Sequence, residues 1–404
     1  MKYIDGGVCS AKGFRAGGMN CGIKVGSTKK DLAMIVSDTM CSAAAVYTTN
    51  KVKGAPLAVT REHLINGTAQ AVICNSGNAN TCAPNGVEIA EKTCEITGSA
   101  LGLAAEDIIV CSTGVIGQEL SIKPFEDGVP KLAEKVSYDG GQEAAEAIMT
   151  TDTIPKSIAV EFEIDGKTCH IGGIAKGSGM IDPNMATMLS FITTDAAVSP
   201  EMLDKALKAD VKTSYNQICV DGDMSTNDTV AVLANGMAGN DEITEAGTEF
   251  DVFCEALAMV TRYLAKKLAR DGEGATKLIE CQVKRAPDHE TAARISKTVI
   301  SSNLLKAAIF GADANWGRVL CAIGYTDGEF STENIDVEMA SAKGRVLVCQ
   351  GSRHKEYSEE EASKILGEEE IQIYVDMHEG NESATAWGCD LTYDYVKING
   401  DYRS

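Results

Sequence analysis

The sequence predicts an α+β fold in which strands and helices sort into layers instead of alternating as βαβ units. Three observations carry this expectation. Short apolar strand patterns fill the first third, the longest helix-period pattern comes late, between Phe253 and Leu268, and no internal repeat or Pro/Ser-rich linker interrupts the chain. With 404 residues there is room for two or three domains, or for one large two-layer domain with an appendage.

In chain order, Thr68–Cys74 reads as a strand running into Asn75–Asn80, a turn too polar and glycine-containing to be core. A helix follows from about Val87 to Thr97, then an apolar strand Ile108–Cys111 that ends at Ser112-Thr113-Gly114. A helical stretch around Gly141–Met149 precedes Thr150–Thr153, and Ile158–Ile164 alternates as a strand turned by Asp165-Gly166. Ser199-Pro200-Glu201 supplies a cap, a first-turn proline and an acidic residue for a helix to about Asp210. Val230–Leu233 is a strand. Phe253, Leu257, Val260, Leu264 and Leu268 share one helix face, and Asp271-Gly272-Glu273-Gly274 stops that helix. From about Val283 the pattern changes to a helix near His289–Ile300, strands, a short helix after Ser358 and the alternating strand Ile371–Val375.

Composition narrows the function classes. Hydrophobic residues make up 44% and charged residues 24% of the chain, ordinary for a folded protein. A net charge of −21 without a Lys/Arg stripe argues against nucleic acid and anionic membranes as partners. The fourteen cysteines scatter singly, with no C-x-x-C and no zinc-finger spacing, so buried thiols are expected and a metal is not. With no signal peptide and no run near 18 apolar residues, the expected location is the cytoplasm. The five histidines stand outside any H-E-x-x-H, and no G-x-S-x-G elbow occurs, which turns attention to a catalyst that needs no histidine.

Gly172–Asp195, GGIAKGSGMIDPNMATMLSFITTD, is such a candidate. Glycines lead through Asp182-Pro183-Asn184 to Met185-Ala186-Thr187, and Met188–Ile192 alternates as a half-buried strand. A small residue, a threonine and a buried strand suit a self-cleaving precursor. Breaking Ala186–Thr187 would leave Thr187 with a hydroxyl nucleophile and a free α-amine, whose ordinary pKa of about 7.7–8.0 fits a general base. A loop before an ordinary core strand is the plainer alternative. Thr113-Gly114 at a strand end could donate a hydroxyl and a backbone N–H to an oxyanion, although Ser-Thr-Gly is also a common turn. Lys176 lacks the G-x-x-x-x-G-K-[ST] order of a phosphate loop, and either holds a substrate carboxylate or is a surface lysine.

Taken together these segments resemble the ornithine acetyltransferase (glutamate N-acetyltransferase) family of arginine biosynthesis. The matching segments are Tyr47–Val52, Asn75–Asn80, Ser112–Gly117, Met149–Thr153, Ala175–Thr187, Val220–Thr229, Asp271–Lys277 and Asn315–Arg318, in order along nearly the whole chain. Ala11 and Ala314 stand where the family suggests proline, and Thr81-Cys82-Ala83-Pro84 departs from its usual turn.

The resemblance implies an N-terminal-nucleophile-like layered sandwich of mainly antiparallel sheets flanked by helices. Residues 1–186 would form an alpha chain after cleavage between Ala186 and Thr187. Residues 187–282 of the beta chain would complete the sandwich, with 283–404 a C-terminal α+β domain. It implies Thr187 as nucleophile, Thr113 and Gly114 as oxyanion donors, and Thr153, Lys176, Thr187, Glu273, Asn399 and Ser404 around the substrate. The implied reaction is ping-pong acetyl transfer from N-acetylornithine to glutamate through an acetyl-threonine, with no cofactor, acetyl-CoA being an open second donor, and an α2β2 assembly. An aminopeptidase or amidase on the same scaffold, and a non-enzymatic acidic binding protein, are the alternatives.

Overall fold

In the computed structural model, residues 1–182 and 188–400 are described. Two central strands buried on both faces organise the first layer, so the half-buried strand expected at Met188–Ile192 is instead fully buried at Leu189–Thr194. Leu189–Thr194 and Thr229–Ala234 run parallel, Thr229 beside Leu189 and Ala234 beside Thr194. Their side chains part to opposite faces. Ile192, Val230 and Val232 pack with Phe253, Leu257, Val260, Leu264 and Leu268 of the long helix Thr248–Arg270. Phe191, Ala231 and Leu233 pack with Ala144, Ala145 and Ala147 of the helix Gly141–Ala147. Helices therefore lie on both faces, as the expected sandwich requires.

The sheet runs Lys2–Ile4, Lys156–Ile164, Lys167–Lys176, Leu189–Thr194, Thr229–Ala234, Leu32–Tyr47, Thr68–Asn78 and Ile108–Val115, with Phe14–Met19 also on the 32–47 strand. The 189–194/229–234 and 68–78/108–115 pairs are parallel and the others antiparallel. Helices Gly86–Leu101 and Lys123–Ala133 close its far end over Ile73, Ile108 and Val110. The expected helix after Ser199 spans Pro200–Asp210, and the Ser199 side chain accepts the Met202 N–H.

A second sheet runs Arg353–His354, Gly344–Gln350, Asp336–Ser341, Glu370–Asp376, Leu278–Ala286, Glu382–Cys389 and Ile218–Cys219, also mainly antiparallel. Helix His289–Ser301 covers it through Ala292, Ile295 and Val299. The change of pattern read at Val283 thus falls inside the first long strand of this sheet. Ile218–Cys219, which lies in sequence between the first sheet's strands Leu189–Thr194 and Thr229–Ala234, joins it, so the two layers are stitched together by backbone pairing as well as by side chains. All fourteen cysteines are unpaired, most of them buried. Among the described residues, no helix is long and apolar enough to cross a membrane.

One expectation is corrected. Asn75–Asn80 is not an exposed turn: the strand continues to Asn78, and Asn75, Ser76, Asn78 and Asn80 are buried. Most of their polar side-chain atoms are hydrogen-bonded internally, Asn80 Oδ1 being an exception among the described residues. Ser112 Oγ donates to Asn75 Oδ1 at 2.6 Å, Ser76 Oγ to Ala147 O at 2.6 Å, and Asn80 Nδ2 to Gly86 O at 2.8 Å. Hydrogen-bonded polar side chains can be buried at little penalty, which residue type alone does not reveal.

Leu264 is fully buried, and its side chain lies where a Cβ on Gly173 would come within 3.1 Å, so helix and sheet are in close contact there. Leu264→Ala is expected to destabilise the fold by about 2–5 kcal/mol through the cavity it leaves. Urea unfolding at pH 7 measures it, and a loss below about 1 kcal/mol would mean that the interface collapses to fill the space.

Candidate active site

The parallel pairing of Ile108–Val115 on Thr68–Asn78 carries Thr113 and Gly114 to the sheet end beside Gly77 and Asn78. At Gly114 φ is +131°, and a Cβ would lie 2.3–2.6 Å from the Gly77 and Asn78 backbone, so only glycine fits. Thr113 and Gly114 line one wall of a cavity of about 120 Å³, together with Ala79 and Ile116. Ser225, Thr226 and Asn227 form a second wall. Asn227 Nδ2 reaches Ala79 O at 2.5 Å and Ser112 O at 2.9 Å, and this fastens the two walls to each other.

Lys176, Glu273 and Asn399 line the same cavity. Lys176 ends the strand Lys167–Lys176 and is buried. Among the described residues, no acceptor is bonded to its Nζ. Glu273 follows the C-terminus of the long helix, its N–H donating to Ser178 O at 2.9 Å, and its Oε2 accepts from Asn399 Nδ2 at 2.6 Å. Asn399 arrives on the last described helix, Tyr393–Gly400, so the C-terminal region does reach the cavity. A Cβ on Gly179 would sit 2.4 Å from the Glu273 carboxyl; the glycine makes room for that carboxyl at the cavity edge. Of the glycines in this run, Gly172 and Gly173 serve close packing and Gly177 has a left-handed φ of +154°.

The backbone leading towards residue 183 is clamped. Asp221 Oδ2 accepts the Met180 N–H at 2.6 Å and Oδ1 the Ile181 N–H at 2.8 Å, while the Val220 N–H donates to Ile181 O at 2.7 Å. Met180 has φ +56°, a conformation unusual for a side chain of its kind and held here by those bonds. Lys297 Nζ pairs with Asp182 Oδ1 at 3.0 Å.

Beneath the cavity lies a buried ionic group. Lys156 Nζ sits 2.7 Å from Asp152 Oδ1 and 2.6 Å from Asp271 Oδ2, and its side chain has no solvent exposure. Asp152 also accepts the Gly177 N–H at 2.6 Å and the Thr150 N–H at 3.1 Å. Asp271 accepts the Thr153 N–H at 3.1 Å and the Thr153 hydroxyl, and its backbone carbonyl takes the Ser178 hydroxyl at 2.6 Å. Burial pushes the Asp152 carboxyl up, but the Lys156 and Lys176 charges and the hydrogen bonds from Lys156 and Gly177 outweigh it and hold it at about 2.

Thr113, Gly114, Lys176, Glu273 and Asn399, singled out from the sequence, therefore surround one cavity. Thr153 is beside it, exposed and turned to Asp271, and is not among the lining residues. Ala186, Thr187 and Ser404 lie outside the described residues. Sequence reasoning gave no role to Asp152, Lys156, Asp221 or Asp271. A lysine four residues after an aspartate was a visible signal for the first pair, but only a helix makes that spacing meaningful, and these residues are not in one.

The ArgJ family matches residues 15–404. A relative from Caldanaerobacter subterraneus subsp. tengcongensis, an arginine biosynthesis bifunctional protein ArgJ, is 50% identical over all of both chains. One of the same description from Geobacillus kaustophilus is 48% identical over 99% of this chain and 97% of its own. A crystal structure of arginine biosynthesis bifunctional protein argJ from Bacillus halodurans matches with a TM-score of 0.51 and 46% identity, covering 54% of this chain and 100% of that one.

Lys156→Met leaves Asp152 and Asp271 buried without their shared cation, and a loss of about 3–5 kcal/mol is expected in urea unfolding at pH 7. A change under about 1 kcal/mol would show that water or rearrangement replaces the lysine. Because the folded Asp152 carboxyl is depressed from 3.8 to about 2, its contribution is complete above about pH 4 and fades as pH falls towards 2. Thermal melts across that window should show the fall in the parent protein.

Proposed function

The chain belongs to the ArgJ family, and on that premise we propose that it transfers acetyl groups in arginine biosynthesis, from N2-acetyl-L-ornithine to L-glutamate, after cutting itself between Ala186 and Thr187. The observation that carries the reading is the lining of one small cavity, in which Thr113 and Gly114 occur together with the buried Lys176 and Glu273. Acetyl transfer between amino acids needs both oxyanion donors and charged groups for the substrate. Thr113 and Gly114 are suited to the oxyanion of a tetrahedral intermediate. Lys176, bonded to no acceptor among the described residues, suits the substrate's α-carboxylate, and Glu273, steadied by Asn399, suits its side-chain amine.

In the first half-reaction Thr187 Oγ attacks the acetyl carbonyl and its α-amine takes the hydroxyl proton. The amine returns that proton to the departing nitrogen, and ornithine leaves. Glutamate then enters and its amine attacks the acetyl-threonine by the reverse proton path. The small cavity limits the water that could intercept the acetyl group. Thr153 would act at its edge, and Ser404 at the end of the tail. No cofactor enters this scheme. The relatives' description as bifunctional supports acetyl-CoA as a second acetyl donor to glutamate.

Self-cleavage has support from chain lengths. The Bacillus halodurans crystal chain, covered end to end, spans 54% of this chain, and the 218 residues from Thr187 to Ser404 are the same share of 404. Two copies of each fragment would give an α2β2 assembly, with residues 187–282 completing the sandwich and 283–404 as the C-terminal part, in the cytoplasm. The hydrolase and the non-enzymatic binder are not favoured, because relatives aligned along the entire chain are arginine biosynthesis proteins.

Thr187→Ala is expected to leave one chain of 42.7 kDa with no transfer activity, whereas the parent should show two masses, the second fragment starting Thr187-Met188. Intact mass and N-terminal sequencing decide it, and an active uncut Thr187→Ala chain would refute the scheme. Thr113→Ala should leave cleavage detectable and lower kcat by about 10²–10³ if its hydroxyl serves the oxyanion. An unchanged kcat in steady-state assays would reduce Thr113 to a turn residue.

A further inference from the structure

A second and larger cavity, of about 410 Å³, shares Gly114, Thr150 and Thr151 with the first as lining. Lys24, Val25, Lys29 and Gln118 also line it, and among the described residues no Asp or Glu does. A cavity lined by two lysines and no carboxylate stands out in a chain of net charge −21. Lys176 and Glu273, the charged groups assigned to the amino-acid substrates, line the smaller cavity and not this one. The larger space therefore has no occupant in amino-acid acetyl transfer alone.

Local chemistry holds this cavity in shape. The buried Asp31 carboxylate accepts the N–H groups of Cys21 at 2.7 Å, Gly22 at 3.1 Å and Lys24 at 3.0 Å, which fixes the turn that carries Lys24 and Val25. Lys24 Nζ donates to Lys30 O at 2.9 Å and to Met149 O at 2.7 Å, tying that turn to the residue before Thr150. A Cβ on Gly77 would lie 2.7 Å from Lys24 Cγ, so glycine there lets the lysine stem pass. Burial, and then the charges of Lys29 and Lys176, push Lys24 below its ordinary pKa, with Asp31 and Asp152 opposing. Three ammonium groups thus feel one another around the two cavities. Lys29 is exposed, and among the described residues no acceptor is bonded to its Nζ. Val25, 95% exposed, and the buried Ile23 add an apolar edge.

We propose that the larger cavity is the docking groove for acetyl-CoA: Lys29 holds a phosphate of its nucleotide end, Ile23 and Val25 lie along its aliphatic arm, and its thioester enters the smaller cavity past Gly114. This rests on the acetyl transfer proposed above. A lysine ammonium is a point charge suited to phosphate, and a cavity of this volume is in the range that takes cofactor-sized ligands. In the step that follows, the acetyl carbon bonds to the enzyme's acyl-accepting hydroxyl oxygen, the C–S bond breaks, and the CoA sulfur leaves with the proton that the hydroxyl gives up. Acetylornithine carries no phosphate and has no need of Lys29. The two donors therefore use different binding groups and share the Gly114 N–H, the one oxyanion donor that lines both cavities.

The test is Lys29→Glu, a charge reversal at an exposed position, assayed in steady state with each acetyl donor and glutamate as acceptor. The KM for acetyl-CoA is expected to rise by about tenfold or more with kcat within about twofold, the pattern of a lost binding contact away from the reacting atoms. The KM values for acetylornithine and glutamate should stay within about twofold of the parent's. S-acetylpantetheine, which has the thioester and no phosphate, should be used with equal kcat/KM by parent and variant. An acetyl-CoA KM within about twofold of the parent's overturns the proposal. So does an equal loss with S-acetylpantetheine, which would mean that Lys29 does not act on phosphate, or a raised glutamate KM, which would give the cavity to the acceptor. A parent active with acetylornithine but not with acetyl-CoA overturns this groove alone. A parent inactive with both donors sinks the acetyl-transfer function, and the groove with it.

Discussion

A single buried ammonium governs the geometry of the cavity. Lys156 binds Asp152 and Asp271 at once, and each carboxylate then takes backbone N–H groups from the segments that carry the site: Thr150 and Gly177 on Asp152, Thr153 on Asp271. Two carboxylates so deep in the protein would repel each other and lose their water without the cation between them. With it, loop 150–153, the end of the 167–176 strand and the end of the 248–270 helix are tied at one point. Lys176, Ser178 and Glu273 are placed relative to each other by that tie, since the Ser178 hydroxyl binds Asp271 O and the Glu273 N–H binds Ser178 O.

On the other side the constraint is steric. Gly114 packs against the Gly77–Asn78 backbone so closely that no Cβ fits, and Asn227 bonds both strand ends. Thr113 and Gly114 therefore have little freedom, which suits donors that must already be aimed before charge develops. Electrostatic tie and steric lock both act on residues that line a cavity too small to hold much water. Asp221 meanwhile grips Met180 and Ile181, so the chain approaches residue 183 from a fixed anchor.

Elements with a clear period were legible in advance. Phe253 to Leu268 spelled one helix face, and that face lies on the first sheet. Glu370–Asp376 formed where alternation was clear, and Thr229–Ala234 around the apolar run Val230–Leu233. The sixteen-residue strand Leu32–Tyr47 was not read, because its first half is buried on both faces and shows no alternation. The Asn75–Asn80 segment was misread for a related reason: its polar side chains find partners on Ala147, Ser112 and Gly86, far from it in sequence or not recognisable as partners. Motif order pointed to Thr113, Gly114, Lys176, Glu273 and Asn399. It could not point to Lys156, whose partner Asp271 is over a hundred residues away.

By itself, the sequence determined the periodic elements and the absence of a histidine-based motif, because these depend on neighbours along the chain, and it pointed to Thr187 as a candidate nucleophile. Only the tertiary structure decided that five dispersed residues share one cavity and that Thr153 turns away to Asp271. Those facts depend on distances across the fold, and on whether a buried charge meets its counterpart, which no local pattern records.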